Sequence, residues 1–561
     1  MSNKYYITTP IYYVNDKPHI GHAYTSVATD FIARFMTLKG YDVRFQTGTD
    51  EHGLKIQKAA EAKKIEPIEL CNQNSQIFRD LTVSLNLSNN DFIRTTEERH
   101  IDGASYLWKR LYERNQIYLG EYTGWYSISD ETFYNEKDLV KQNDGSFKTI
   151  TGGPVEWITE KSYFFKLSEW SNKLLDLYSS NPNFISPASK RNEVIKFVES
   201  GLNDLSVSRT SFKWGIKTPT DESHIMYVWL DALTCYTNGI NYLNENENGM
   251  KEYWNNVVHI VGKDILRHHA VYWPAFLLAA ELDLPKKIFA HGWWTNEGRK
   301  ISKSLGNTIN PIALIEEYGL DQIRYFMMRE VPFGRDGDFS KTALINRINS
   351  DLANDLGNLS QRVLSIIFKN LDGKIPSIPE ELQKEDYLLL NNLKELPNNV
   401  RVLINEQSFH EALRIIWHVI AEANKYVDKQ APWSLKKTNF NRMLEVLGVL
   451  VEVIRGVCLL TQPFMPDASE KLLDQIGKKR LLFTFPLTLA QFSARFFEIM
   501  PNPLITRDQL KLLKYDNVPS GKYKTNFDID LKTELKFESE VEKYCYMWKE
   551  SGEYSKKTNL N

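Results

Sequence analysis

The sequence predicts an α/β fold in which a doubly wound parallel sheet carries a small β-rich insertion and is followed by an α-helical bundle. Three observations predict it. Strand-like and helix-like segments alternate over residues 4–115, short strands and turns interrupt them near residues 121–166, and helical periodicity dominates residues 343–477. A chain of 561 residues has room for several such domains.

The first segments justify the parallel sheet. The β-branched and aromatic run YYITTPIYYV is typical of a strand, AYTSVATDFIARFMTLKGY has helical periodicity ending at Gly40, and DVRFQTGTDEHG returns to a strand and a turn. Strand–helix–strand order implies parallel strands. We therefore predict the first half of the sheet domain at residues 1–120, the insertion at 121–166 and the second half at 167–295.

The bundle follows a connecting region at residues 296–342 and spans residues 343–477. Its most apolar segment, VLGVLVEVIRGVCLLT, contains Glu452 and Arg455, which favours a buried bundle helix over a membrane span. Residues 478–561 differ in character, end in a lysine-rich tail and are predicted to be an atypical, partly disordered segment.

Composition indicates a folded cytoplasmic protein. The four cysteines (Cys71, Cys235, Cys458 and Cys545) form no C-x-x-C pair, and the N-terminus lacks the layout of a secretion signal. The net charge of −2 neither supports nor excludes a nucleic-acid partner, which would need a local basic face.

The segment PHIGH places His19 and His22 around Gly21, directly after a strand-like run. A helix starting near Pro18 would put both rings on its first turn, where free backbone N–H groups suit a triphosphate and Gly21 lets a nucleotide approach. From these residues alone, two polar residues at a helix start remain an alternative. A metal pair is disfavoured because no third ligand lies in the same turn.

A second segment, EGRKISKSLGN, interleaves Arg299, Lys300 and Lys303 with serines and a glycine. Long, flexible basic side chains beside small residues are suited to a mobile loop that binds phosphates. For the lysines taken alone, an ordinary basic surface loop is the better explanation.

Together, HIGH at residues 19–22 and KISKS at 300–304, with Ile301 in place of methionine, resemble the motifs of class I aminoacyl-tRNA synthetases. The segments TGTDEHG, YVWLDAL, VGKDILRHH, APW and QPFMP occur in the order found in the methionyl-tRNA synthetase family. This resemblance covers residues 4 to about 475. It implies a Rossmann-like catalytic domain, a KMSKS loop and stem-contact region at 296–342, and an anticodon-binding bundle at 343–477.

The resemblance also implies the activity of a methionine–tRNA ligase. ATP and L-methionine would give methionyl-adenylate and pyrophosphate, and the methionyl group would pass to the 3′ end of tRNA(Met) with a CAU anticodon. ATP would act with Mg²⁺, and we expect a monomer without a membrane partner. The alternatives are another class I synthetase, whose editing insertion or pocket thiol is missing, and a catalytically inactive tRNA-binding protein, which would need no ATP motifs.

Site residues carry over one by one from the resemblance. The catalytic residues would be His19, His22, Lys300 and Lys303. The same four would bind ATP together with Gly21 and Asp264. Methionine would be bound by Ile11, Tyr13, Asp50, Trp229, Ala232, Tyr236, Ile265 and His269. The anticodon would be bound by Asn358, Arg362 and Trp433. A thioether suits aromatic walls, and a carboxylate suits the substrate ammonium.

The sequence departs from the family in two places. The insertion has no cysteine and shows Ser127 and Asp130 where many members carry zinc ligands, so we predict no structural zinc. Its aromatic residues, including Trp125, Tyr126, Phe133 and Phe164, would hold it instead. The segment Lys478–Val518 is similar to the end of epimerase-like proteins associated with respiratory complex I. This similarity suggests a fused gene fragment or a frameshift junction near Gly477, and a divergent native tail is the alternative.

Overall fold

The structure is a computed structural model that describes residues 3–15, 17–127, 132–134, 136–142, 144–150, 152–243, 248–296, 298–301 and 308–477. The predicted C-terminal segment 478–561 lies outside these residues. The first half of the sheet domain contains β1 (Lys4–Thr8), β2 (Tyr12–Tyr13), α1 (Ile20–Leu38), β3 (Asp42–Asp50), α2 (Leu54–Lys63), α3 (Pro67–Ser84), β4 (Asp91–Arg94) and α4 (Glu98–Glu113).

The insertion is β-rich, as predicted. It contains β5 (Ile117–Ser127), β6 (Thr132–Tyr134), β7 (Leu139–Lys141), β8 (Phe147–Thr149) and β9 (Glu156–Phe165). Antiparallel pairing of β5 with β9 sets Trp125 opposite Trp157, and the Trp125 ring also packs 4.8 Å from that of Phe147. Tyr126 and Phe164 are buried, whereas the side chain of Phe133 lies outside the described part of the chain.

The second half completes the sheet domain. It contains α5 (Ser171–Ser180), β10 (Ile185–Ser186), α6 (Ala188–Glu199), β11 (Leu205–Ser206), β12 (Ser208–Arg209), β13 (Lys217–Thr218), β14 (Asp221–Met226), α7 (Val228–Asn238), α8 (Asn248–Trp254), β15 (Val257–Gly262), α9 (Trp273–Ala279) and β16 (Lys287–His291). A π-helical turn, His268–Tyr272, precedes α9.

The main sheet is parallel and draws strands from both halves. Its order is β10-β16-β15-β1-β3-β2, with β4 also paired to β3. Neighbouring residues of one strand pack on opposite faces: Ile7 joins the core that contains α1, and Tyr6 joins the core that contains α4 and α7. Helices therefore cover both faces, which confirms the doubly wound α/β prediction.

The remaining elements form the connecting region and the bundle. They are β17 (Trp294–Asn296), β18 (Arg299–Lys300), α10 (Pro311–Tyr318), α11 (Leu320–Arg329), β19 (Gly337–Phe339), α12 (Lys341–Arg347), a π-helical stretch (Ile348–Gly357), α13 (Asn358–Leu371), α14 (Lys384–Asn405), α15 (Phe409–Gln430), α16 (Pro432–Thr438), α17 (Phe440–Thr461) and α18 (Pro466–Gly477). Among the described helices, none has the length and apolar character needed to cross a bilayer.

A buried ion pair joins helix α11 of the connecting region to α1 of the sheet domain. The Arg324 guanidinium lies 2.6 Å from Asp30 Oδ2 on α1, and both side chains are fully buried. Arg324 also donates to the carbonyls of Leu85, Pro463 and Phe464. Since a buried guanidinium is tolerated only when its donors are satisfied, these acceptors fix α11 between α1 and the α17–α18 turn.

Candidate active site

A cavity of about 740 Å³ opens where β1, β3, β15 and β16 end. The strand order changes direction between β1 and β15, and parallel sheets bind ligands at such switch points. The structure brings most of the predicted site residues to this cavity: Ile11, Tyr13, His19, Gly21, His22, Asp50, Trp229, Ala232, Tyr236, Asp264, Ile265 and His269.

The HIGH histidines form the start of α1. Helix α1 begins two residues after the predicted Pro18, so His19 is the N-cap and not a first-turn residue. His19 Nδ1 accepts the Gly21 N–H at 3.1 Å, and His22 Nδ1 accepts the His19 N–H at 3.1 Å. This is a capping box built from two imidazoles, whose ring centroids lie 3.9 Å apart.

Both HIGH rings are neutral at pH 7. Burial lowers the pKa of His19, against the opposing effect of Asp264, and it lowers the pKa of His22 well below the usual value. Because each Nδ1 accepts a backbone N–H, each neutral ring carries its proton on Nε2 and can donate it. Gly21 is required by His19 itself, since an added Cβ would lie 2.9 Å from His19 Cε1.

The apolar end of the cavity is walled by α7 and the turn before α9. Trp229 stacks on His268 at 3.7 Å, and Tyr236 Oη lies 2.7 Å from His269 Nε2. His269 Nδ1 donates to the Ile265 carbonyl at 2.9 Å, so Nε2 accepts from the tyrosine hydroxyl. Burial lowers the pKa of His269 to about 4, which leaves this wall uncharged.

The cavity places its carboxylates at separate positions. Asp50 is the last residue of β3, and Asp264 lies on the turn after β15. Trp293 Nε1 donates to Asp264 Oδ1 at 3.1 Å, Lys263 Nζ lies 4.2 Å from the Trp293 ring centroid, and Asp336 accepts from both Lys263 Nζ and the Trp293 backbone N–H. Trp293 is therefore held on three sides although it is 39% exposed.

The predicted lysine loop is described in part. β18 carries Lys300 and pairs it with Thr295, which lines the cavity, so the backbone at Lys300 runs beside the site. The side chain of Lys300 and the whole of Lys303, within residues 302–307, lie outside the described residues.

The predicted anticodon residues meet on the bundle. Asn358 and Arg362 lie one turn apart at the start of α13, and the Arg362 guanidinium lies 5.2 Å from the Trp433 ring centroid on α16. Arg362 also pairs with Asp428 at 2.5 Å. Trp433 is 39% exposed, so an open aromatic face lies beside a guanidinium.

Two family models match the chain. The model described as "tRNA synthetases class I (M)" matches residues 5–144 and 144–364, and that described as "Anticodon binding domain of methionyl tRNA ligase" matches residues 377–492. The chain belongs to the methionyl-tRNA synthetase family.

Individual family members agree over most of their length. The methionine–tRNA ligase of Rickettsia conorii is 54% identical over 488 residues, which cover 86% of this chain and 95% of the relative, and that of Brucella melitensis is 52% identical over 471 residues, covering 84% and 91%. Mycobacterium tuberculosis methionyl-tRNA synthetase in complex with methionyl-adenylate superposes with a TM-score of 0.82 at 48% identity, covering 84% of this chain and 94% of that one. Its free form gives a TM-score of 0.75 at 46% identity, with 84% and 91% covered.

The family match extends beyond the predicted bundle end. It reaches residue 492, past Gly477, while the proposed likeness of the C-terminal segment to epimerase-like proteins stays a prediction. Within the described residues no three histidine, cysteine or acidic side chains group as a metal site. Asp130 lies outside those residues, and the absence of structural zinc also stays a prediction.

Sequence reasoning missed several cavity residues, namely Lys55, His291, Trp293 and Trp294. The last three occur at or directly after the end of β16 in HGWW. Their position at the carboxyl end of a parallel strand is a signal that could have found them.

Proposed function

We propose that this protein is a methionine–tRNA ligase that activates L-methionine with ATP and transfers it to tRNA(Met). The observation that carries the proposal is that one cavity combines two neutral histidines at a helix start, the Asp264 carboxylate and an uncharged aromatic wall with Asp50 nearby. The bundle cluster around Trp433 supports a tRNA substrate, since unpaired bases are recognised by stacking and by edge hydrogen bonds.

The residues support the following mechanism. Asp50 binds the methionine ammonium, and Trp229 and Tyr236 pack against its thioether. Asp264 accepts from the ribose hydroxyls, and the Nε2–H groups of His19 and His22 donate to the phosphates as the methionine carboxylate attacks the α-phosphorus in line. Pyrophosphate then leaves. The protein contributes positioning and preformed donors, and its side chains form no covalent bond.

The lysine loop completes the phosphate site. Lys300 and Lys303 neutralise charge that builds up on the leaving pyrophosphate, and Mg²⁺ enters with ATP as part of the substrate. The terminal hydroxyl of the tRNA next attacks the acyl-adenylate, which gives methionyl-tRNA and AMP. Cytoplasmic location and a monomeric state remain predictions from the sequence.

Amino-acid-dependent ATP–pyrophosphate exchange tests the proposal. With purified full-length protein, methionine should support exchange, and leucine, isoleucine, valine and cysteine should not. Charging of a tRNA(Met) transcript with a CAU anticodon should follow, with the same transcript carrying a changed anticodon as the control. Exchange with another amino acid would favour a different class I synthetase, and tRNA binding without any exchange would indicate the inactive binding protein.

A further inference from the structure

Three consecutive side chains at the end of β3 face three different partners. Asp50 lines the cavity. Glu51 is fully buried and accepts two bonds from the Arg94 guanidinium, at 2.7 Å and 2.9 Å. His52 Nδ1 lies 2.7 Å from Asp231 Oδ2 on α7. Gly53, at φ +112°, then turns the chain into α2, a conformation that favours glycine. Asp50 is thus followed by two side chains that hold the segment through separate partners: Glu51 contacts Arg94, and His52 contacts Asp231.

Asp231 contacts two histidines, His52 and His100. Its Oδ2 faces His52, and its Oδ1 lies 2.7 Å from His100 Nε2 on α4. Asn238 Nδ2 donates to the His100 carbonyl at 3.1 Å and lies 3.3 Å from His100 Nδ1, which therefore accepts. His100 consequently carries its proton on Nε2 and donates to Asp231.

Asp231 is an anion held inside the protein. Burial alone would raise the pKa of Asp231, but the two imidazoles lower it to about 2. Its place in the first turn of α7 adds the favourable end of the helix dipole. Since a buried carboxylate without its donors is costly, both imidazole contacts restrict where α7 can lie.

The same helix turn forms the aromatic wall of the cavity. Trp229 lies two residues before Asp231, Ala232 directly follows it, and Tyr236 comes little more than one turn later; all three line the cavity. One carboxylate therefore links the segment that carries Asp50 to the helix that carries the apolar wall.

We propose that Asp231, acting through His52, is a positioning residue for the methionine site. It fixes the separation between the Asp50 carboxylate, which binds the ammonium, and the α7 wall, which binds the thioether. This inference rests on the proposed function, because it concerns how the same site recognises the ammonium and the thioether of methionine. Neither His52 nor Asp231 is among the residues that line the cavity, so their effect passes through Asp50 and α7.

The test compares two substitutions of similar volume at His52 in methionine-dependent ATP–pyrophosphate exchange. His52→Gln keeps an N–H donor for Asp231, and His52→Leu removes it. We expect His52→Leu to raise KM for methionine about tenfold or more, because small misplacements of binding groups have large kinetic effects. KM for ATP should stay within about twofold, because the ATP groups lie outside this network. His52→Gln should recover most of the loss, and Asp231→Asn should behave like His52→Leu.

His224→Gln is the matched control, since His224 is also a buried histidine but bonds Ser208 and lies outside the cavity lining. It should leave both KM values unchanged. The inference is overturned if folded His52→Leu has a normal KM for methionine, if both KM values rise together, or if His52→Gln and His52→Leu behave alike. Wild-type protein that shows no methionine-dependent exchange would instead reject the proposed function. Thermal melts establish which variants fold, and the His52 pair decides the outcome should Asp231→Asn unfold.

Discussion

Asp264 and Trp293 follow neighbouring parallel strands. The hydrogen bond between them fixes one oxygen of the Asp264 carboxylate, which we propose binds the ribose. The other contacts of Trp293, to Asp336 and Lys263, leave the indole little freedom at a partly exposed position. A residue that orients a binding side chain supports the affinity for the ligand which that side chain binds.

Trp293→Phe should therefore raise KM for ATP by about three- to tenfold. The substitution removes one hydrogen bond to a charged group, and such a bond contributes about 1.5–3 kcal/mol. The packing of the retained ring offsets part of this loss. KM for methionine should change little. Steady-state exchange at varied ATP and varied methionine measures both values. Trp157→Phe, at an exposed position of the insertion, is the control. Equal increases in both KM values would contradict the role of Trp293 in orienting the Asp264 carboxylate.

Individual cavity residues could be predicted from family motifs, but their contacts could not. The resemblance predicted His19 and His22 as site residues. Their mutual capping box depends on α1 starting at Ile20, whereas the sequence predicted a start near Pro18. The bond from Trp293 to Asp264 is missing from any local pattern because the residues are 29 apart in sequence. Only the order of parallel strands brings them together.

Helices α13 and α16 together make the proposed anticodon surface. Helix α16 starts with Pro432 at its first turn after Ala431 in the left-handed conformation, which directs the chain so that Trp433 meets Arg362. Asp428, near the end of α15, pairs with the same guanidinium. The helical bundle and the Trp433 position were predictable from periodicity and the APW motif, whereas the Asp428 pair was not.

Trp433→Ala should lower kcat/KM for charging of tRNA(Met) by about 5- to 150-fold, the effect of losing one base–aromatic stack of roughly 1–3 kcal/mol. Methionine-dependent exchange without tRNA should be unchanged. Phe368→Ala provides a control on α13, because Phe368 is 58% exposed and lies on another side of that helix from Arg362. Equal losses in charging and exchange after Trp433→Ala would argue against an anticodon role.

The catalytic sheet and the helical bundle share one hydrophobic core. Arg324 of α11 pairs with Asp30 of α1, 294 residues away, and also donates to the carbonyls of Pro463 and Phe464 in the bundle. Phe31 of α1 stacks directly on Phe464 with ring centroids 4.0 Å apart. The two domains were predictable from periodicity and motif order. This contact was not, because no short-range pattern distinguishes a buried arginine from a surface one.

The last described helix, α18, belongs to this shared core. Ala468 N–H donates to Asp321 Oδ2 at 2.6 Å, Thr461 and Ser469 hydroxyls lie 3.1 Å apart, and Leu472 and Leu473 pack on the buried cluster. All predicted site residues precede α18, but the family match continues to residue 492. Removal of residues beyond 492 therefore spares both the described core and the matched domain.

A chain ending at residue 492 should retain methionine-dependent exchange and tRNA(Met) charging within about twofold of the full chain, since truncation is tolerated where no buried contacts of the retained domains are lost. A chain ending at Gly477 keeps α18 and should also retain exchange, because the cavity and the Asp30–Arg324 pair remain intact. A chain ending at Met465 removes α18 and should melt at a lower temperature, because the Asp321 and Ser469 contacts are lost. Loss of activity at 477 but not at 492 would place residues 478–492 within the functional bundle; loss at both would show that the remaining C-terminal segment is needed for the fold.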